Sequence, residues 1–276
     1  MSQQKDKLKY IFISIVLCAG EGKRISNFIG DMPKSLIEVN NKPILLHLIS
    51  NLVKSAVSSI IIITGHLNDK IENFISSLKS KDKSLQNIIT LVNSGTDYKK
   101  GPLYSFLSIT KKKSLLREDS NYLVFPGDTY FDNALIHEIF TSITNNITLI
   151  ERYPIIFYQK IQGIVLKNRK PYAEFISVLN LDESEDNSIV KNIQKRNSNS
   201  IGDDEYINLV IPMFLFNYYF INEIMKAETK LSVKTLREIV NFLIKENELV
   251  YGLSLNPNYN FLDIDTKTDL MMEKKR

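Results

Sequence analysis

The chain has 276 residues and a formal net charge of +4, from 35 Lys and Arg against 31 Asp and Glu. So small an excess does not indicate a nucleic-acid partner, and 43% apolar with 24% charged residues is typical of a soluble globular protein. Cys18 is the single cysteine, so no intrachain disulfide can form, and the sequence favours a reducing, cytoplasmic location.

The first apolar segment, residues 10–19, follows a basic stretch and so shares features with a secretory signal. It is too short to span a bilayer, and it is rich in β-branched residues, which is typical of a strand buried on both faces. We therefore predict a strand over residues 11–18 and no signal peptide. No later stretch is long and apolar enough to predict a membrane span.

Short β-branched runs alternate with amphipathic runs through the first half of the chain. We predict strands at 11–18, 59–64, 88–92 and 122–125, and helices at 44–56, 67–78, 103–111 and 133–142. This alternation predicts βαβ units around a parallel sheet. Ligands of such sheets bind beyond the carboxyl ends of the strands, so we expect a site at the loops after Cys18, Thr64, Val92 and Phe125.

The second half lacks this alternation. Residues 148–166 resemble several short strands without helices, and the polar residues 180–208 predict a solvated excursion or a mobile lid. Helices are predicted at 217–226 and 233–246, strands near 250–255 and 259–263, and a last short helix from 266. The aromatic residues at 214–220 are expected to form core or a dimer surface, which is compatible with a homo-oligomer.

Two glycines, Gly20 and Gly22, directly follow the first strand. Glycine lets the backbone turn sharply and present its N–H groups to an anion, and Lys23 and Arg24 add positive charge. The loop lacks the Gly-Lys-Ser/Thr of a P-loop and the third glycine of a dinucleotide fingerprint. The residues of this loop alone are compatible with an anion site and equally with a plain turn.

A second motif, Pro33-Lys34-Ser35-Leu36, places Lys34 ten positions after Arg24. Together with residues 17–24 it resembles the signature of the nucleotidyltransferases that make sugar nucleotides and related activated compounds. Cys18 stands where that family has an alanine, and the resemblance extends over residues 41–44 and 61–65. It implies an α/β fold, a Rossmann-like three-layer sandwich with a mostly parallel mixed sheet and a smaller acceptor-side β/α elaboration. Residues 1–276 would then form one domain, with a nucleotide-binding half at about 10–145 and an acceptor-binding half at about 146–276.

The resemblance implies that the first loop binds a nucleoside triphosphate. Backbone amides and two cations in one concave loop can neutralise a triphosphate, so the residue types agree with that role. The resemblance assigns Arg24 and Lys34 to the triphosphate as catalytic residues, and nucleotide binding to Ala19, Gly20, Gly22 and Lys23.

Asp128 follows the fourth strand beside Gly127, where a carboxylate suits a hard cation such as Mg²⁺, although an ordinary turn or helix cap is the alternative. The resemblance makes Asp128 a catalytic metal ligand and implies a second aspartate near the end of the chain. Asp263 and Asp265 lie on the same side of a strand, so either could serve. Because Asp265 or Thr266 suits the cap of the last helix, we predict that Asp263 completes the metal site.

Residues 93–105 are expected to face the base. The spacing of Tyr98, Tyr104 and Ser105 resembles the phosphocholine and inositol-phosphate cytidylyltransferases, which slightly favours CTP. The Gly-Pro-Leu that begins at Gly101 instead resembles the molybdopterin nucleotidyltransferases. We assign Tyr98, Gly101 and Ser105 to nucleotide binding, with a solvent-facing helix position as the alternative for Ser105.

The family takes an acceptor-binding lysine from a Glu-Lys-Pro stretch, and Gln194-Lys195-Arg196 is the nearest match. Lys195 is therefore predicted to bind the acceptor phosphate, with a solvated run of charges as the alternative. Gly163 fits a strand glycine of the family near the acceptor, although a turn explains it equally well.

The resemblance implies transfer of a nucleoside monophosphate from an NTP to a phosphorylated sugar or alcohol, with Mg²⁺ as cofactor and pyrophosphate as the second product. Thymidylyl, uridylyl and guanylyl transfer stay open, as does a non-catalytic nucleotide-binding regulator on the same fold. A nicotinamide-dependent oxidoreductase is disfavoured, because no acidic residue follows the second strand at Thr64-Gly65-His66.

Overall fold

The computed structural model describes residues 11–55, 57–170, 173–182 and 188–269. Within these ranges the strands are β1 (Ile11–Cys18), β2 (Glu38–Val39), β3 (Lys42–Pro43), β4 (Ser59–Thr64), β5 (Ile89–Asn93), β6 (Ser120–Pro126), β7 (Thr129–Phe131), β8 (Ile155–Gln162), β9 (Phe175–Leu181), β10 (Val190–Asn197), β11 (Tyr206–Asn217), β12 (Tyr251–Ser254) and β13 (Phe261–Asp263).

The α-helices of the same ranges are α1 (Ser26–Ile29), α2 (Ile44–Lys54), α3 (Asn68–Lys81), α4 (Leu85–Ile88), α5 (Pro102–Leu107), α6 (Asn133–Asn145), α7 (Ile147–Arg152), α8 (Gly163–Arg169), α9 (Tyr218–Glu228) and α10 (Leu236–Lys245). Short 3-10 helices lie at Lys34–Leu36, Asp97–Lys100, Ser108–Leu115 and Ser198–Ser200.

A nine-stranded sheet forms the centre of the described part of the chain, in the order β10-β9-β11-β6-β1-β4-β5, with β8 paired to β11 and β12 to β8. Strands β6, β1, β4 and β5 run parallel, whereas β11, β9 and β10 continue the sheet in antiparallel pairs. This arrangement confirms the predicted α/β fold with its mixed sheet. Both halves of the chain supply strands to it, and their union in one domain stays a prediction.

Alternate residues of the central strands pack against helices on opposite faces of the sheet, as the side-chain period of two in a strand requires. On β4, Ile60 and Ile62 pack with α2, α3 and α6, whereas Ile61 and Ile63 pack with α5, α9 and α10. The result is three layers, helices–sheet–helices. No helix in the described ranges has both the length and the apolar character that crossing a membrane requires.

The predicted strands 11–18 and 59–64 are confirmed with the same boundaries as β1 and β4. The predicted helix 103–111 is wrong in its second part, because α5 ends at Leu107 and a 3-10 helix follows.

Two predictions for the second half are wrong. Residues 148–166 contain one strand between two short helices, α7 and α8, since the apolar residues around Ile150 pack a helix against the sheet rather than extend it. Residues 190–197, predicted as solvated or as a lid, form β10 at the sheet edge. Val190 and Ile193 are buried there while charged neighbours point outward, so two apolar residues suffice to anchor a mostly polar strand.

Candidate active site

Four loops meet beyond the carboxyl ends of β1, β4, β5 and β6, where the sheet topology predicts a site. Backbone hydrogen bonds join them: Gly127 N donates to Leu17 O (2.9 Å), His66 N to Ala19 O (3.1 Å) and Ser94 N to Thr64 O (2.8 Å). A side chain at Gly127 would overlap the Cys18 sulfur and lie 2.8 Å from Leu17 O, so glycine permits the close approach of β6 to β1. The loops therefore form one continuous surface.

The loop after β1 presents free backbone donors. In the part of the chain that the structure describes, the N–H groups of residues 20–22 donate no hydrogen bond, and Gly22 turns the chain with a φ of +62°. Ala19 is buried and exposed Lys23 pairs with Glu21 at 2.8 Å. Free amides beside positive φ form a concavity that suits an anion.

Cys18 lies beneath this loop, and burial raises the pKa of its thiol to about 12. The side chain is therefore a neutral thiol at physiological pH and acts as a small apolar group, as its place in the motif predicts.

Lys34 is the central cation of the site. Its aliphatic chain lies against Gly22, where a Cβ would be 3.0 Å from Lys34 Cγ, and the side chain is only 11% exposed. The ammonium donates to Asp265 Oδ1 at 2.6 Å and to Asp128 Oδ2 at 3.2 Å. Burial alone would lower the pKa of Lys34, but the two carboxylates outweigh it and raise the pKa above its ordinary value, so Lys34 is charged.

Asp128 and Asp263 lie in the same part of the site and interact electrostatically. Strand β13 pairs with β7 so that Asp263 faces Thr129, and Ile264 N donates to Asp128 O at 3.2 Å. Burial raises the pKa of Asp128, an effect that Lys34 opposes and that Asp265 and Asp263 increase. Two carboxylates held this close are oxygen donors of the kind that a hard divalent cation prefers.

Asp263 is held by two partners, one of them a residue that the sequence reasoning missed. Its Oδ1 accepts from Thr129 Oγ1 at 2.6 Å, and its Oδ2 accepts from Lys170 Nζ at 2.9 Å. Burial alone would raise the pKa of Asp263, but Lys170 and the Thr129 hydrogen bond outweigh it and hold the pKa below its usual range. Lys170 ends a run of basic residues after α8, and nothing in that run indicates a contact 93 positions away.

Asp265 is a second residue that the sequence reasoning misplaced. It was one of two candidates for the cap of the last helix, but Thr266 takes that role, because its Oγ1 accepts from Asp269 N at 3.3 Å while Asp269 accepts from Thr266 N at 2.7 Å. Asp265 instead accepts from Lys34 and, at 2.9 Å, from Arg24. The period-two placement of Asp263 and Asp265 was the signal that both face the site.

The loop expected to face the base lies on the other side of the first loop. Tyr98 packs beside Gly65 and 6.2 Å from the His66 ring. Gly101, with a φ of +130°, begins α5 against the backbone of Lys234. Ser105 is buried on α5, so the alternative of a solvent-facing position is wrong.

A cavity of about 620 Å³ adjoins the carboxylates and contains the predicted acceptor lysine. Arg24, Asp263, Asp265 and Lys195 all line it. Gly163 does not, since it begins α8 with its N–H donating to Glu205 O at 2.8 Å and leaves no room for a side chain beside Gly202. The structure therefore brings Lys195 to the candidate active site and places Gly163 at a tight packing contact.

More than half of the chain matches a known protein family. Residues 14–160 match the family of the MobA-like NTP transferase domain. Mannose-1-phosphate guanylyltransferase catalytic subunit beta of Xenopus tropicalis is 29% identical over 120 residues, which are 43% of this chain and 31% of that protein. The chain thus spans about a third of the length of the curated relatives that it matches first.

Solved structures show the same fold over nearly the whole chain. A UDP-glucose pyrophosphorylase from Acinetobacter baumannii has a TM-score of 0.68 at 14% identity, over 95% of this chain and 92% of that one. A CTP:phosphocholine cytidylyltransferase from Streptococcus pneumoniae has a TM-score of 0.65 at 20% identity, over 96% of this chain and 98% of that one.

Proposed function

This chain belongs to the family of MobA-like NTP transferases, and on that premise we propose that it transfers the nucleoside monophosphate of an NTP to a phosphorylated sugar or alcohol. The second product is pyrophosphate. The roles of Arg24, Lys34, Asp128 and Asp263 in this reaction are part of what we propose.

The observation that carries the proposal is the convergence of two cations and three carboxylates beside the free amides of the first loop. Lys34 bridges Asp128 and Asp265, and Arg24 pairs with Asp265. A phosphate chain bound at the loop can replace Asp265 as the partner of both cations, because phosphate oxygens accept the same charge-assisted hydrogen bonds. The site thus holds its cations in place while neutralising them with an exchangeable carboxylate.

The donor set fits a divalent metal ion. Asp128 and Asp263 would hold Mg²⁺ together with substrate phosphates, because Mg²⁺ is usually bound in proteins by one or two carboxylates plus phosphates. When bound, the metal ion supplies charge neutralisation at the α-phosphate and the entering oxygen. Lys34 and Lys170, which pair with these carboxylates, orient them and favour their ionised forms.

In the proposed reaction an oxygen of the acceptor phosphate attacks the α-phosphorus. A new phosphorus–oxygen bond forms while the bond between the α-phosphorus and its bridging oxygen to the β-phosphate breaks, and pyrophosphate takes the electron pair. A phosphomonoester has a second pKa of about 6, so it is mostly a dianion at neutral pH and needs no general base. Arg24, Lys34 and the loop amides then act by positioning and charge stabilisation.

We slightly favour CTP among the four NTPs, because the spacing of Tyr98, Tyr104 and Ser105 resembles that of the cytidylyltransferases. Lys195 is proposed to contact the acceptor phosphate from the cavity wall. The cytoplasmic location and a homo-oligomeric state stay predictions from the sequence.

A matrix of four NTPs against a panel of sugar and alcohol phosphates, with Mg²⁺ present, tests the proposal by pyrophosphate release. We expect release that depends on both an NTP and one class of acceptor. Nucleotide binding without release in any combination would contradict the proposed transfer and favour a regulator on the same fold.

A further inference from the structure

The cavity beside the candidate active site has a second cationic wall, away from the carboxylate pairs. It is formed by β9, β10 and the first turn of α10, which contribute Phe175, Ser177, Lys195 and Arg237 to the lining. Sequence reasoning identified Lys195 alone. Arg237 follows the start of an amphipathic helix, a position where an arginine usually indicates only a solvated face.

Lys195 and Arg237 converge on one serine. Lys195 lies directly opposite Ser177 in the β9–β10 pairing, where side chains on the same face are about 5 Å apart at Cβ. Arg237 Nη1 approaches Ser177 Oγ at 3.5 Å from α10. Phe175, two residues before Ser177 and so on the same face, has its ring centre 4.0 Å from Lys195 Nζ. Lys195 and Arg237 therefore approach the same serine, one from β10 and the other from α10.

These two charges differ from two other cations that line the cavity. Arg24 and Lys170 each form an ion pair with a carboxylate of the candidate active site. Neither Lys195 nor Arg237 has a carboxylate within 4.0 Å among the described residues, although Glu174 also lines the cavity. Two positive charges that form no ion pair favour a bound anion, because the anion reduces their mutual repulsion.

Apart from its charged side chains, which include Arg169 and Glu174, the remainder of the cavity offers few hydrogen-bonding groups to a sugar ring. Much of the lining is apolar, including Val124, Val210, Pro212 and Phe214. No asparagine or glutamine belongs to the lining within the described part of the chain. A site that selects a polyhydroxylated substrate needs groups that hydrogen-bond its hydroxyls, since unpaired hydroxyls against an apolar wall cost binding energy.

Two of the three neutral hydroxyl side chains in the described lining already form hydrogen bonds within the protein. Thr235 Oγ1 accepts from Glu238 N at 3.2 Å, and Thr266 Oγ1 donates to Asp269 at 2.8 Å. Ser177 is the remaining one in the described lining, and it lies between the two cations.

We propose that Lys195, Arg237 and Ser177 form an anion subsite for the acceptor phosphate, and that the acceptor is the phosphate ester of an alcohol with few hydroxyl groups. Hexose 1-phosphates and inositol phosphates are then poor acceptors. The inference rests on the proposed nucleotidyl transfer and narrows its acceptor class. Arg237 becomes a specificity-determining residue of that reaction.

The test compares native protein with Arg237→Gln and Arg237→Lys, and with Lys245→Gln as the matched control. Lys245 is exposed at the other end of α10, so its replacement removes the same charge from the same helix. Pyrophosphate release is measured with choline, ethanolamine and glycerol phosphates and with glucose and mannose 1-phosphates. We expect the best short-chain ester to exceed the hexose phosphates in kcat/KM by about 10-fold or more, given the unpaired hydroxyls.

For Arg237→Gln we expect the KM of the acceptor to rise about 10-fold or more while the KM of the NTP is unchanged, because one charge-assisted contact is lost. Arg237→Lys should recover part of that loss and Lys245→Gln should behave as native. Preference for hexose phosphates, or an unchanged acceptor KM in Arg237→Gln, would overturn the inference while leaving nucleotidyl transfer intact.

Absence of release from native protein would instead contradict the proposed transfer, and the subsite is then tested by binding alone. Inorganic phosphate is titrated and its line width followed by phosphorus NMR. Weaker phosphate binding in Arg237→Gln than in Lys245→Gln supports the anion subsite, and equal binding overturns it.

Discussion

The charged side chains of the candidate active site neutralise one another across loops that are far apart in the chain. Lys34 reaches Asp265 across 231 positions and Asp128 across 94. In the proposed reaction such pairs fix the substrate-binding groups before any ligand arrives, so less ordering is needed on binding. The main effect of these ion pairs is therefore to preorganise the site for its ligands rather than to stabilise the fold.

We expect the single substitution Asp128→Asn to lower turnover by about 10²-fold or more, as the loss of a major electrostatic group in an active site does. We expect no loss of thermal stability. The pKa of Asp128 is higher in the folded than in the unfolded state. At pH values above the unfolded pKa, ionisation of this carboxyl therefore destabilises the folded protein. The amide of asparagine does not ionise, so the variant lacks this destabilising contribution. Pyrophosphate release and the melting temperature are the two measurements.

Asp119→Asn is the matched control, because Asp119 is an exposed carboxylate paired with Arg117 outside the site. Its turnover should equal that of the native protein. Near-native turnover in Asp128→Asn would remove Asp128 from the mechanism.

The sequence could predict which motif residues belong to the site, but it could not predict the side chains that pair with them. Arg24 and Lys34 lie in the segment between β1 and β2, and Asp128 lies two residues after β6, so the order of motifs and strands places them at one edge of the sheet. Lys170 could not be predicted, because its contact with Asp263 depends on how the chain returns after α8. The place of Arg237 in the cavity could not be predicted either, because it depends on how α10 packs beside β9. No local sequence pattern encodes that tertiary contact.

Among the elements, α10 has the most complete local support and carries Arg237 to the cavity. Thr235 and Glu238 form a reciprocal capping box, with Thr235 Oγ1 accepting from Glu238 N and the Glu238 carboxylate accepting from Thr235 N at 2.9 Å. Leu236, Ile239, Val240 and Leu243 are buried against the sheet. Cap and apolar face together fix both the start and the orientation of the helix.

We expect Thr235→Ala to lower the free energy of unfolding by about 1 kcal/mol, the usual effect of losing a threonine N-cap. Urea denaturation followed by circular dichroism measures it. Thr144→Ala is the comparison, since Thr144 is exposed within α6 and donates only to Phe140 O of its own helix. That change should be neutral or slightly stabilising, and an equal loss in both variants would contradict a specific capping role.

The elements of the first half could be predicted because their residues are either fully apolar or clearly amphipathic. Strands β1 and β4 have buried β-branched centres and end at polar or glycine loops. In the second half, β10 has only Val190 and Ile193 turned to the core, three positions apart across an irregularity in the β9–β10 pairing, so both its composition and its spacing resemble a loop. The helix α7 resembles a strand in composition, and packing decides its conformation.

For the whole molecule, both apolar layers draw on both halves of the chain. One layer joins Val16 and Leu48 to Ile207 and Met213, and the other joins Ile61 to Leu243. Neither half could bury its strands without the other. Charged residues of both halves also line one cavity, with five cations and four carboxylates in its described lining.

We therefore expect a single cooperative thermal transition, with the same midpoint by far-UV circular dichroism and by tyrosine absorbance. Shared cores make the halves unfold together. Two separate transitions would contradict the prediction that residues 1–276 form one domain.

Nucleotidyl transfer itself is tested most directly by following the label of an NTP marked at either the α- or the γ-phosphate, with Mg²⁺ and a short-chain alcohol phosphate. The proposed reaction places the α-label in the acceptor product and the γ-label in pyrophosphate. Transfer of the γ-label to the acceptor, or release of both labels without an acceptor product, would contradict it.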